Sequence, residues 1–236
     1  MKTMKTLKSM MIAAIILCGT SMNAQAQNND YYQTKDEVGI TIGGPSNSQI
    51  INVFSEMFGI MGSALVTSVA TGGQYTGYTT YENEKNIPAI SAEYFHHLNK
   101  TVSIGGIVGF NGTFSDMYCT FQKNVGSGDT TVKSKEKVGS AKKYFITVMP
   151  AVKFDWLRQK NYGLYSKLAF GLTYMYEQEK QDDQNGEKEL HSDSKLMGNF
   201  QASILGIEAG SEKFRGFAEL GVGEQGIFVV GCRYKF

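Results

Sequence analysis

Between Tyr162 and Glu177 the sequence alternates in character for sixteen residues without a break. One set reads Tyr162, Leu164, Ser166, Leu168, Phe170, Leu172, Tyr174 and Tyr176; the other reads Gly163, Tyr165, Lys167, Ala169, Gly171, Thr173, Met175 and Glu177. Successive side chains of a strand point to opposite faces, so one face is apolar and aromatic and the other is largely small or charged. An ordinary globular strand stops at about 5 or 6 residues. A tilted strand that crosses a bilayer needs about 9 to 11, apolar towards lipid, polar or small towards a lumen, with aromatic rings at both water interfaces. The segment fits the second description.

The stretch before it repeats the pattern, with Tyr144, Ile146, Val148, Val152, Phe154 and Trp156 outward and Thr147, Ala151, Lys153 and Asp155 inward. Leu157-Arg158-Gln159-Lys160-Asn161 between the two is a short polar turn. The same reading predicts strands near 36–43, 87–98, 101–111, 142–156, 161–178, 195–209, 214–222 and 226–236. That makes eight, an even number as in bacterial barrels. The expected fold class is therefore all-β: a single closed, antiparallel, up-and-down transmembrane β-barrel, with ten strands as the alternative if residues 44–86 supply two more. Short turns at 98–100, 158–160 and 210–213 alternate with long links at 44–86, 112–141 and 179–194. Periplasmic turns and external loops of such barrels differ in this way. The last external link, Gly223-Glu224-Gln225-Gly226, is tight, and its glycines suit a hairpin. A soluble β-sandwich is the structural rival, but it gives no reason for this segregation, and its exposed apolar faces would aggregate.

The first residues read as an export segment. Lys2, Lys5 and Lys8 give a basic start, Met10 to Leu17 an apolar run, and Ala24-Gln25-Ala26 a small-x-small site, predicting cleavage between Ala26 and Gln27. The apolar run falls short of the about 20 residues a membrane helix needs. Cys18 raises the question of a lipid anchor, but Leu17 rather than a small residue precedes it. The expected organisation is a signal peptide at 1–26, a periplasmic lead-in at 27–35 and a barrel at 36–236, located in the outer membrane of a Gram-negative cell. Without the leader, 20 basic residues stand against 22 acidic ones, a net charge of −2. That is no footprint for nucleic acid. Cys119 and Cys232 are expected at opposite ends of the barrel, beyond the about 7 Å between Cα atoms that a disulfide spans.

Phe228, Val230, Cys232, Tyr234 and Phe236 alternate on one face and end on Phe. Of these, Phe228, Val230, Tyr234 and Phe236 resemble the C-terminal assembly signal of Gram-negative outer-membrane barrels, which implies the barrel-assembly machinery as a partner alongside outer-membrane lipid. With the run Phe217-Ala218-Glu219-Leu220-Gly221-Val222-Gly223-Glu224-Gln225-Gly226, the ending is similar to the closing hairpin of a broad family of small outer-membrane β-barrel proteins of uncharacterised function. The resemblance is sharp over about the last 25 residues and implies fold and location, not an activity.

Alternation points Glu93, Lys153, Lys167, Glu219 and Arg233 into the lumen, which eight strands leave just wide enough for side chains to fill. Buried charges must pair; Glu219 with Arg233 is the first expected pair, and a structural ion-pair core is favoured over a gated polar path. In the first external link, Ser46-Asn47-Ser48 caps a predicted helix over 48–65 carrying Ile50, Ile51, Phe54, Met57, Phe58, Met61 and Leu65. Its apolar face is expected to pack on the barrel mouth or on neighbouring loops; a lid, a lipid contact or a hydrophobic ligand site is the functional alternative. The acidic link 178–189 misses the spacing of a calcium loop, since Gln181 stands where that motif requires Asp. His96 and His97 fall at the periplasmic end, and His191, beside Ser192, Asp193 and Ser194, lies in an external loop. No catalytic, cofactor or metal residue is therefore assigned. The expected role is non-enzymatic: structural, or surface-interacting through external loops. A binder or porin-like conduit for small apolar molecules is the alternative, and a lipid-modifying enzyme using His191 as base a more remote one.

Overall fold

The computed structural model describes residues 34–125, 129–182 and 188–236; the predicted signal peptide with Ala26 and Gln27, and most of the lead-in, lie outside them. The alternating segments form β1 (Asp36–Gly44), β2 (Tyr75–His97), β3 (Val102–Val125), β4 (Asp129–Arg158), β5 (Tyr162–Asp182), β6 (Lys188–Gly210), β7 (Phe214–Gly223) and β8 (Phe228–Lys235), with α1 (Asn47–Ala70) between β1 and β2. Each strand pairs antiparallel with the next, and β8 returns to β1 to close the barrel. At the closing seam Val38 stands opposite Tyr234 and Gly44 opposite Phe228. The chain is thus an all-β, eight-stranded closed barrel with one helix; the ten-strand alternative is not realised among the described residues.

Burial follows the pleat. Along β5, Tyr165, Lys167, Ala169, Thr173 and Met175 are buried, while Leu168, Phe170, Leu172, Tyr174 and Tyr176 are exposed. The same inversion runs around the ring: Val38, Ile40 and Ile42 on β1, Val108 on β3, Ile146 and Val148 on β4 and Val230 on β8 are exposed, whereas Arg215, Arg233, Lys153 and Lys167 are among the most deeply buried side chains.

The strand bounds depart from the reading of the sequence at the end of the barrel that carries α1. β4 runs to 30 residues and β3 to 24. Most of the links expected at 112–141 and 179–194 are thus ladder, and His191 stands in β6 opposite Glu179 rather than in a loop. These outer parts carry Thr, Lys, Glu and Ser on both faces, so they lack the apolar period by which a strand is read. Cross-strand contacts hold them instead, such as Lys137 to Asp116 at 2.6 Å and Lys135 to Glu82 at 2.5 Å. Strands β2 to β6 therefore rise about a dozen residues beyond the apolar belt, on the order of 40 Å of strand. β7, β8 and β1 stop near its edge.

The helix fills the side this leaves open. Ser46 caps it: its hydroxyl accepts from the Gln49 backbone N–H at 3.3 Å, and the Gln49 side chain accepts from the Ser46 N–H at 3.1 Å. Gly72 and Gly73, at φ 59° and 81°, turn the chain back into β2. The helix packs chiefly on β2, where Gln49 donates to the Ile87 carbonyl and Thr67 to the Gly77 carbonyl. The expectation that its apolar face packs on the barrel is overturned. Ser48, Gln49 and Asn52 are the buried residues, and Phe54, Phe58, Met61 and Leu65 are all more than half exposed. The mouth is lined with carboxylate and amide groups that need polar partners, so the polar stripe of the helix turns inward and the apolar one outward.

Candidate functional site

The lumen is packed with charge in the half that lies away from α1. Arg233 reaches three carboxylates, Glu93 at 2.6 Å, Glu208 at 2.8 Å and Glu37 at 3.4 Å. Its guanidinium also lies over the rings of Phe217, at 4.3 Å, and Tyr165, at 4.9 Å. Lys167 bridges Glu93 at 2.9 Å and Glu219 at 2.8 Å. Lys153 bonds Glu37 and lies 3.6 Å from Asp155; Lys235 bonds Glu208; Arg215 reaches Glu208 at 2.5 Å. Glu219 further accepts from the Tyr165 hydroxyl at 2.7 Å and the Ser203 hydroxyl at 2.5 Å. Five carboxylates thus face five cations from β1, β2 and β4 to β8. Mutual attraction in a site closed to water offsets the cost of removing each charge from solvent.

Glu93, Lys153, Lys167, Glu219 and Arg233 all lie in this cluster, but Glu219 and Arg233 do not pair as expected. The register sets Arg233 opposite Arg215 and Glu219 opposite Val229, four positions further up β8. Arg233 consequently turns across the lumen to Glu93 and Glu208, and Glu219 goes to Lys167. Glu37, Glu208, Arg215 and Lys235 were missed as lumen residues. Strand parity held the signal: Glu37 has the opposite parity to Val38, Ile40 and Ile42, and Lys235 shares that of Arg233.

Near the rim at that end, His97 lies 3.3 Å from Glu37 and 3.5 Å from Asp155, and the Ser103 hydroxyl is 2.6 Å from its ring. His96 instead faces outward to Asp36 at 2.8 Å. Cys119 and Cys232 are both free.

At the opposite end sits a carboxylate that the sequence reading left in a hairpin turn. Gly223 and Gly226, at φ 139° and 115°, fold the β7–β8 connection down into the mouth; a Cβ at either would come within 2.3 Å of a backbone atom. Glu224 and Gln225 are therefore buried. Glu224 accepts from the Ser48 backbone N–H at 3.0 Å and hydroxyl at 2.7 Å, from Asn111 at 2.7 Å, from Asn199 at 2.8 Å and from Thr147 at 3.4 Å. One side chain thus ties the first turn of α1 to β3, β4 and β6. Above it, Lys143 reaches Asn52 at 2.6 Å, Glu177 at 3.1 Å and Glu56 at 3.2 Å, fixing the second turn of the helix. Tyr81 donates to Glu179 at 3.3 Å, and burial beside Glu179, Glu177 and Glu56 pushes its phenol above the usual range.

Fold and site together define a class: a small eight-stranded β-barrel with charge inside, an apolar wall outside and a helix tethered in the mouth. Among solved structures the chain is similar to Ail, the attachment invasion locus protein of Yersinia pestis, at 13% identity over 86% of this chain and 99% of that one, with a TM-score of 0.35. The same protein in complex with the heparin analogue sucrose octasulfate matches at 15% identity over the same shares, with a TM-score of 0.34. No family model and no curated protein matches the chain.

Proposed function

We propose that this is a non-enzymatic outer-membrane protein whose barrel anchors an external platform, the extension of β2 to β6 with α1, for contacts at the cell surface. The inverted polarity carries the reading. Rows such as Ile146, Val148, Leu168, Phe170 and Leu172 cover the outside of a ring whose inside holds ion-paired carboxylates. Water would penalise the first arrangement and lipid rewards it. Aromatic residues at Tyr144, Tyr174 and Tyr176 on one edge and at Trp156 and Tyr162 on the other suit the two interfaces. Phe228, Val230 and Tyr234 all face outward on β8, followed by exposed Phe236, as a signal read by the barrel-assembly machinery would. The filled lumen favours a structural core over a conduit.

Heat-modifiability tests the reading. Residues 27–236, refolded in detergent, should give a β-rich circular-dichroism spectrum and migrate faster unboiled than boiled. A chain that folds in water and ignores detergent would overturn it. A binder of small apolar molecules remains the second reading, favoured by the exposed side chains of α1; fatty-acid binding that disappears in Phe58→Glu would support it.

A further inference from the structure

The helix α1 carries opposite chemistries on its two sides. Gln49, Asn52, Glu56 and Thr67 turn to the protein, where each is hydrogen-bonded. Directly opposite, Ile51, Phe54, Phe58, Met61, Leu65 and Val69 are 42%, 54%, 67%, 55%, 65% and 81% exposed. With Met57 and Val66, their exposed parts amount to on the order of 1,000 Å² of apolar surface. A monomer rarely exposes a contiguous patch beyond a few hundred Å². A stable interface needs about 800 Å² from each partner.

The lipid around the barrel is not placed to cover this face. Gln49 sits by Ile87 and Thr67 by Gly77, so α1 spans the rows of the ladder from the aromatic edge at Tyr144 and Tyr176 outward. In that zone the strands turn Asp116, Lys137, Gln178 and Lys180 outward, a surface suited to water. The exposed face of the helix is uncharged, because its one ionisable residue, Glu56, is bound to Lys143 on the inner side. Two such faces meet without repulsion. Copies held in one membrane also present the helix at the same height and in the same orientation, the geometry of a two-fold axis normal to the bilayer.

We propose that α1 is a self-association surface: two copies pair through Phe54, Phe58, Met61 and Leu65. The inference rests on the membrane reading above. The full chain, purified in detergent and reconstituted into phosphatidylethanolamine–phosphatidylglycerol vesicles, supplies the test. With Cys18, Cys119 and Cys232 changed to Ser, single cysteines at Phe54, Phe58, Met61 or Leu65 should cross-link under mild oxidation at one or more positions, while Lys180→Cys on the outer wall should not. Phe58→Glu should weaken the dimer at least tenfold and keep the faster unboiled migration of a folded barrel. A wild-type chain that is monomeric in vesicles, with no cysteine on α1 exceeding Lys180→Cys, overturns the proposal. So does a dimer that survives Phe58→Glu in a heat-modifiable barrel, or a monomer whose helix face holds a co-purified lipid or another protein. If the chain instead proves water-soluble, the membrane reading fails, and the same cross-links, made without detergent, still decide whether α1 pairs.

Discussion

The lower and upper halves of β2 to β6 are continuous strands held by different physics. Below the aromatic edge, every second side chain faces a charge-filled lumen and every other one the apolar exterior. The ion pairs there are closed to solvent; Lys167, Glu93 and Glu219 have no exposed side-chain surface. Above it the ladder continues, yet the pairs on its outer wall are wet: Lys137 and Asp116 bond at 2.6 Å with side chains 48% and 28% exposed. Removing one partner of the same chemical pairing is costly in the first place and cheap in the second, because a charge left alone in the lumen has no water to turn to.

The strongest way to break this contrast is Arg233→Ala. It leaves Glu37, Glu93 and Glu208 facing one another with fewer cations, and loss of a buried partner of this kind costs about 3–5 kcal/mol. Urea unfolding of the refolded barrel should show a correspondingly lower midpoint; an unchanged midpoint would mean the lumen admits water. Glu224→Ala comes next. It removes the acceptor shared by Ser48, Asn111 and Asn199, a loss of roughly 1–3 kcal/mol since Asn199 keeps Thr173 as a partner and water at the mouth can reach the rest, and hydrogen exchange should quicken over the first turns of α1 while the barrel stays protected. Ser46→Ala removes the cap of the helix, about 1 kcal/mol, visible as faster exchange at the same turns without a change in the barrel.

The smallest effect belongs to the upper half. The Lys137 ammonium and the Asn83 amide hold the Asp116 carboxyl below its ordinary range. A carboxyl depressed by folding adds stability above its unfolded pKa and loses it as pH falls through the folded one. Carbon-detected titration should therefore find Asp116 depressed, and Lys137→Ala should return it towards the ordinary value with little change in the unfolding midpoint. A large change would erase the distinction between the two halves.

The same contrast governs what could be read from the sequence. Segments such as Tyr162 to Tyr176 and Tyr144 to Trp156 were legible because an apolar exterior and a charged lumen impose opposite demands on alternate residues. Residues 112–123 and 134–141 were not, since water bathes the outside and polar groups line the inside, so both faces accept Thr, Lys or Ser. The inward position of Glu93, Lys153, Lys167, Glu219 and Arg233 follows from parity alone. Which of them pair does not, because partners come from strands across the lumen and depend on register: Glu219 meets Lys167, two strands away along the ring. Ser46 announced the helix, but its outward apolar face depends on Glu224, a turn residue that offers its carboxylate to Ser48, 176 positions before it.

Glu224 and β8 belong to one hairpin, so the contact that ties the first turn of α1 and the seam that closes the ring share a single element. A change that shifts β8 against β1 would therefore loosen the first turn of α1 as well, a mechanical coupling between the wall of the barrel and its mouth.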